Sequence, residues 1–249
     1  VPSYRAHALV LKKTKLGETD AILNMLADDG CQLRGVAKGL RKPGSKLGGV
    51  LEPFTEARLL MHTGRNLDVI SEAEVADAHA ALREDLDRLS AASAVADVLD
   101  KLSIEGQSEE RLFGLGQATL SVCDVATVES LPAVVAAFLV KALSMHGYRP
   151  ELESCAACAS DVTGGHLFSL DSGGVLCPEC GGSDTSVLHF SEEARRCIAR
   201  YLRSRMAEVP EMDIEASTVS ETLRLTRDFA EYHVPVRMKA LDMYVGQAG

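Results

Sequence analysis

Apolar positions alternate with polar ones or gather in short runs over the first third of the chain, and after about residue 78 they switch to a helical period. The runs at 4–15, 21–26, 32–37, 55–61 and 67–71 read as strands, separated by turn-forming stretches at 28–30, 42–45 and 62–66. Five strands in so short a span predict a small barrel of the OB-fold type, although an SH3-like barrel has a similar pattern. Beyond them Leu82, Leu86, Leu89, Val95, Val98, Leu99 and Leu102 recur on one helical face. Further helices are predicted at 108–124 and at 132–146, the latter opened by Pro132 and stopped by Gly147. The helical period returns from Ser191, a good N-cap, through Arg205, and a last helix is expected at 217–232. Between them, residues 151–184 form a cysteine-bearing module with turns at Gly164-Gly165 and Gly173-Gly174 and a strand at 166–170. The predicted organisation is therefore α+β and multidomain: a barrel at 1–78, a helical domain in two parts at 79–150 and 185–249, and the module at 151–184 inserted between them.

Composition narrows this picture. Aromatic residues make up 4% of the 249 positions and tryptophan is absent, so the interior must be aliphatic. The most apolar stretch, 131–140, ends at Lys141 and falls short of the roughly 20 residues that span a bilayer, which predicts a buried helix and no membrane anchor. Arg5, Lys12, Lys13 and Lys15 interrupt the early apolar residues, so no signal core is seen and a cytoplasmic location is expected.

Cys155-x2-Cys158 and Cys177-x2-Cys180, eighteen residues apart, have the spacing of a four-cysteine zinc site. Each pair can present two thiolates from one tight turn, and four thiolates fill a tetrahedral zinc ion, leaving no position for a catalytic water. His166 therefore has no vacancy to fill. Cys177-Pro-Glu-Cys180-Gly181 has the expected trailing glycine, whereas Ala159 follows the first pair. A redox dithiol is the competing reading, but a thioredoxin-like βαβ context is not evident. Cys31, Cys123 and Cys197 read as small core residues.

Catalytic motifs are absent or incomplete. Asp171-Ser172-Gly173-Gly174 resembles a serine nucleophile segment but lies where the module needs a turn. Gly39-x4-Gly44 followed by Ser45-Lys46 misses the phosphate-binding loop by the order of its last residues. Asp85, Asp87, Asp97, Asp100 and Glu105 are expected on a solvated helix face. These readings predict a protein that is not an enzyme.

A net charge of −10 argues at first against a polyanionic partner, but the charge is segregated. Residues 1–51 hold nine basic and four acidic side chains, a net of +5, leaving −15 on the remaining 198. Between Gly30 and Leu51 stand Arg34, Lys38, Arg41, Lys42 and Lys46, with glycines interleaved and no acid. This flexible glycine-rich segment, with Lys12, Lys13 and Lys15, suits contact with backbone phosphates.

Gly17-Glu18-Thr19-Asp20, the run from Ala37-Lys38-Gly39-Leu40-Arg41-Lys42-Pro43-Gly44-Ser45-Lys46 through Leu47-Gly48-Gly49-Val50-Leu51-Glu52-Pro53-Phe54, and Gly64-Arg65-Asn66-Leu67 closely resemble the N-terminal domain of the RecO family. The inserted four-cysteine module followed by helices extends the likeness over the chain. The resemblance implies an OB-fold, a helical domain and a zinc module in a bacterial DNA repair mediator. It further implies binding of single- and double-stranded DNA, annealing of complementary strands, and work with RecR, RecA and single-stranded DNA-binding protein. The acidic, apolar C-terminal tail of that last partner would meet the helical domain, where Arg195, Arg196, Arg200 and Arg203 are candidates for its contact. Few rings are available for base stacking in the first domain, chiefly Tyr4, Phe54 and several histidines. The competing readings are a zinc-ribbon and OB-fold adaptor for protein or RNA, and a hydrolase with an unrecognised site.

Overall fold

A computed structural model describes residues 2–162 and 167–247, so the expected Gly164-Gly165 turn, the start of the 166–170 strand and His166 lie outside the described residues. The chain divides into two compact units, Val1–Val125 and Ala126–Gly249. The boundary falls within the stretch 79–150.

The first unit opens with β1 (Ser3–Leu16), β2 (Asp20–Ala27), β3 (Gln32–Ala37), β4 (Glu56–His62) and β5 (Asp68–Asp77). They close into a barrel in the order β1-β2-β3-β5-β4, with β1 returning to β4 and β3 running parallel to β5, which is the OB arrangement. Val10, Leu23, Met25, Leu51, Met61 and Ile70 fill its interior. The four consecutive residues Ala8–Leu11 are all buried, and the ladder to β2 shifts register between Val10 and Lys12. The bulge reverses which face the following side chains take. Lys13 and Lys15 then stand opposite Leu23 and Ala21, on the interior alternation at the barrel's end, while Lys12 stands opposite Asn24 on the outer face.

Helices α1 (Ala81–Glu84), α2 (Leu86–Leu102) and α3 (Glu110–Val125) complete this unit. Asp85 breaks the helix expected to run through Leu82 and Leu86: its carboxylate accepts hydrogen bonds from the Asp87 and Arg88 N–H groups and starts α2 afresh. The phase is reset, and Leu86 is 82% exposed instead of facing the core. Asp100 also departs from its expected solvated face. It is buried against the barrel, where the Asn24 amide donates to its carboxylate at 2.8 Å and the Gln32 amide donates to its carbonyl at 2.9 Å.

The second unit begins with a 3₁₀ turn, Val128–Ser130, and α4 (Leu131–Met145). The stretch Val128–Met145 is apolar and long enough to cross a membrane by those measures alone, but α4 is the central helix of this unit, with Phe138, Leu139 and Val140 buried beside α6 and α7. The module follows as β6 (Leu167–Ser169), β7 (Gly174–Leu176), the single turn α5 (Pro178–Gly181) and β8 (Val187–His189), with β6 central in the sheet. Then come α6 (Glu192–Arg203), capped by Ser191 as expected, a 3₁₀ segment, α7 (Ala216–His233) and α8 (Lys239–Gln247). The last helix had no sequence expectation, although Met238, Leu241, Tyr244 and Val245 give it a buried stripe.

Candidate metal centre and nucleic-acid interface

Two knuckles bring the sulfur atoms of Cys155, Cys158, Cys177 and Cys180 within 4.8 Å of one another. Backbone N–H groups point at the sulfurs. At Cys155 burial pushes the thiol up, but the N–H groups of Cys177, Cys158 and Ala157 outweigh it and hold the pKa at about 6. At Cys177 the Cys180 N–H lowers the pKa in the same way. The Cys158 and Cys177 sulfurs are 3.8 Å apart. Four sulfurs placed about 2.3 Å from a common centre in a tetrahedron lie about 3.8 Å from each other, so this donor set fits a metal ion. Cys158 is exposed and Cys155 buried, which sets the site at the surface of the module.

The first knuckle is closed by the bridge Ser154–Asp161 and by the Ala159 N–H, which donates to the Cys155 carbonyl at 2.8 Å. Ala159 takes φ 60°, the left-handed conformation in which a glycine is unstrained, so the missing glycine is felt here as backbone strain. In the second knuckle a Cβ on Gly181 would lie 2.3 Å from Leu167 Cδ1, so a larger residue there requires the leucine side chain to shift. Of the other cysteines, Cys123 and Cys197 are buried, while Cys31 is half-buried at a turn beside Asp29 and is not part of the core.

The basic segment between β3 and β4 is a chain of hydrogen-bonded turns, not the flexible loop its glycines suggest. The N–H groups of Lys42, Ser45 and Gly48 donate to the carbonyls of Gly39, Lys42 and Ser45, and Leu40 and Leu51 are buried in the barrel core at its two ends. The turn between β1 and β2 fastens it. Asp20 accepts from the Gly39 N–H at 2.8 Å, the Arg41 N–H donates to the Thr19 carbonyl at 2.9 Å, and the Arg41 guanidinium reaches the Gly17 carbonyl at 3.2 Å. The Gly39 hydrogen bond, then Thr19 and the nearby Lys38 and Lys42 charges, hold the Asp20 carboxyl below its ordinary range. Two stretches of sequence that looked like separate motifs are thus one surface.

On that surface Lys38, Arg41, Lys42 and Lys46 are exposed. Among the described residues no ion pair involves these four, nor Lys12, Lys15 or Arg34. Lys13 differs: its ammonium is 2.6 Å from both Glu52 carboxylate oxygens. Lys12 and Arg34 flank Asn24 in one row across the outer face of β1, β2 and β3. Of the expected stacking rings, Phe54 and Tyr4 are not free, while His7 and His62 are half-buried. Phe54 is 3% exposed, with φ 73°, and the Tyr4 hydroxyl donates to Asp68 with its ring packed against the barrel core.

The four arginines of α6 are already engaged. Arg195 makes two 2.7 Å bonds to Glu192 and donates to the Leu152 carbonyl, Arg196 shares Glu192, and Arg203 reaches Glu153 at 3.2 Å. Arg195, Arg196 and Arg203 line a cavity of about 430 Å³ with Arg149, Leu152 and Leu202. Arg200 faces a different groove, beside Asp213 and Glu215.

A five-stranded OB barrel followed by helices and a four-cysteine group that could hold a metal define the architecture, and comparison with known proteins names its class. Residues 2–79 match the family profile "Recombination protein O N terminal", and residues 83–242 match "Recombination protein O C terminal". Among named relatives, DNA repair protein RecO of Roseiflexus sp. is 35% identical over 231 residues, covering 92% of this chain and 80% of its own. The RecO of Pelotomaculum thermopropionicum is 30% identical over 248 residues, covering 98% and 95%, and that of Desulforamulus reducens is 29% identical over 240 residues, covering 96% and 93%. The chain belongs to the RecO family of DNA repair proteins.

Proposed function

We propose that the chain is a DNA-binding recombination mediator: it holds single- and double-stranded DNA, anneals complementary strands, and with RecR assists the loading of RecA on DNA coated by single-stranded DNA-binding protein. It works in the bacterial cytoplasm at the nucleoid and catalyses no covalent reaction. The observation that carries this reading is the fastened turn surface, where Lys38, Arg41, Lys42 and Lys46 are exposed and without a carboxylate partner among the described residues. Cations held in this way attract phosphates and lower the repulsion between two strands being paired. Lys12, Lys15 and Arg34 extend the surface. Lys13 is the exception, its charge being taken by Glu52.

The metal in the four-cysteine group is zinc, with a structural role. A set of four thiolates suits its softness and its tetrahedral preference and fills its coordination. Arg195, Arg196 and Arg203, with Leu152 and Leu202 beside them, are the contacts for an acidic, apolar protein tail, whose carboxylates must displace Glu192 and Glu153 from them. Arg200 is a peripheral member of that set.

Annealing of complementary oligonucleotides coated with single-stranded DNA-binding protein tests the function. Wild type should accelerate annealing, and a folded variant with Lys38, Arg41, Lys42 and Lys46 replaced by alanine should not. Equal activity in both would move the DNA surface elsewhere. Failure of both would favour an adaptor that binds protein or RNA.

A further inference from the structure

At the end of α7 the rings of Phe229, Tyr232 and His233 meet that of Tyr148, which is distant in the sequence. Tyr148 stacks on His233 with ring centroids 4.4 Å apart and planes at 24°. Phe229 and Tyr232 meet the same imidazole edge-on at 4.6 Å and 5.2 Å. The cluster is rigid for identifiable reasons. Gly147 ends α4 at φ 90°, its N–H donates to the Ser144 carbonyl, and the Tyr148 N–H returns to the Leu143 carbonyl, a Schellman closure that fixes the direction in which Tyr148 leaves the helix. The Tyr232 hydroxyl is pinned by Asp171 at 3.0 Å. His233 Nε2 is buried without a hydrogen-bond partner among the described residues, so ring contacts hold the imidazole on that side.

Rings gathered only to close a core would be buried, as Phe229 is. Tyr148 and Tyr232 instead remain 36% and 47% exposed. His233 covers one face of Tyr148, which leaves its other face as the one open to a further stacking partner. We infer that this side of Tyr148 is a platform on which an unpaired nucleobase stacks, giving the second unit its own contact with single-stranded DNA. The inference rests on the DNA-binding reading above and adds a ring contact to a barrel whose Phe54 is buried and whose Tyr4 is tied to Asp68.

The chemistry favours a base over an anion at this spot. Ring faces carry negative quadrupole density and Asp171 lies at the rim, so a phosphate or carboxylate is disfavoured directly over the rings. A base presents its own π-face and continues the Tyr148–His233 stack. Arg149, exposed and without an ion-pair partner among the described residues, follows Tyr148 immediately and can take the neighbouring phosphate. Duplex bases have both faces covered, so the platform selects single strands.

The chain contains no tryptophan, so Tyr148→Trp installs one reporter in the full protein. Its emission should be quenched by an oligothymidylate of about 15 nucleotides and not by an abasic oligomer of the same length and charge. Independently, Tyr148→Ala should weaken binding of the oligothymidylate roughly tenfold and leave the abasic oligomer unaffected, with Tyr148→Phe restoring wild-type binding. Equal losses on both oligomers would mean that Tyr148 only supports the fold, and no loss on either would remove the platform; each outcome overturns the inference while leaving DNA binding intact. Quenching by an acidic peptide in place of the oligomer would reassign the rings to a protein partner. If wild type bound neither oligomer, the DNA-binding reading would fall as well.

Discussion

The number of free cations on the barrel can be counted by salt. Each phosphate neutralised on a single strand releases condensed counterions and contributes about −0.7 to the slope of log K against log salt. If the turn surface acts alone, Lys38, Arg41, Lys42 and Lys46 give a slope of about −3, and raising salt from about 50 to 200 mM weakens binding roughly 50-fold. If Lys12, Lys15 and Arg34 join them, the slope steepens to about −5 and the same change costs roughly a thousandfold. Lys13 should be silent in either case, because its charge is taken by Glu52 at 2.6 Å. Glu52→Gln releases it, and the slope should become more negative by about 0.7. Fluorescence anisotropy of a labelled oligonucleotide at several salt concentrations measures all of these. The quadruple alanine variant should lose about 3 from the slope. A slope unchanged by those four substitutions refutes the assignment of the surface, and a slope that becomes less negative on Lys13→Ala refutes the account of the ion pair.

Other consequences follow from single contacts. Ala159→Gly relieves a left-handed alanine, and after the entropy cost of glycine it should stabilise the second unit by about 1 kcal/mol, visible as a higher thermal midpoint; a lower midpoint would show that the strain is not real. Asp100→Ala leaves the Asn24 amide without its carboxylate acceptor under α2 and should cost about 1–3 kcal/mol in urea unfolding, most of it recovered by Asp100→Asn if the acceptor oxygen is what matters. Chelation should release one zinc ion per chain and unfold the module while the barrel's β-signal survives; a module unchanged after complete removal would deny the metal a structural role. Asp20 is held below its ordinary pKa, so its contact with Gly39 is fully present above the ordinary aspartate range and is lost only as pH falls through that lower value. The Gly39 amide resonance should report a midpoint below the ordinary range, and a midpoint within or above it contradicts the contact.

Legibility in the sequence tracked how local the cause was. The barrel strands were readable because period-two burial leaves its mark within each segment, and the four cysteines because a knuckle imposes its own spacing. The bulge at Leu11 was not, since it depends on two faces of β1 being covered at once. Asp100 looked like another charge on a polar helix face; only its partners Asn24 and Gln32, from the barrel, make it an interior group. Leu86 leaves the core face for a local reason, the capping aspartate before it. Nothing in the neighbours of Phe54 announces its positive φ, whereas its N–H bond to the Val10 carbonyl turns the side chain inward. The ring cluster was invisible because Tyr148 and His233 are 85 positions apart. Even the basic segment was only half legible: its charges were plain, but its rigidity depends on Asp20 and Thr19, from the turn between β1 and β2.

That rigidity bears on how a chain of net charge −10 can hold a polyanion. At physiological salt the Debye length is about 8 Å, so an acid several residues' breadth away is largely screened, and the potential felt by a phosphate is set by the charges nearest to it. What counts is then whether cations stay together and whether acids stay out. Glycine-rich chain without fixed turns could not ensure the first, because Lys38 and Lys46 would separate as readily as they approached. Here the hydrogen-bonded turns and the buried Leu40 and Leu51 hold them on one surface, while Asp20, whose carboxyl feels the Lys38 and Lys42 charges, is committed to the Gly39 N–H. The same carboxylate that subtracts a charge from the surface is the group that orders it, so removing Asp20 should not be equated with adding a lysine.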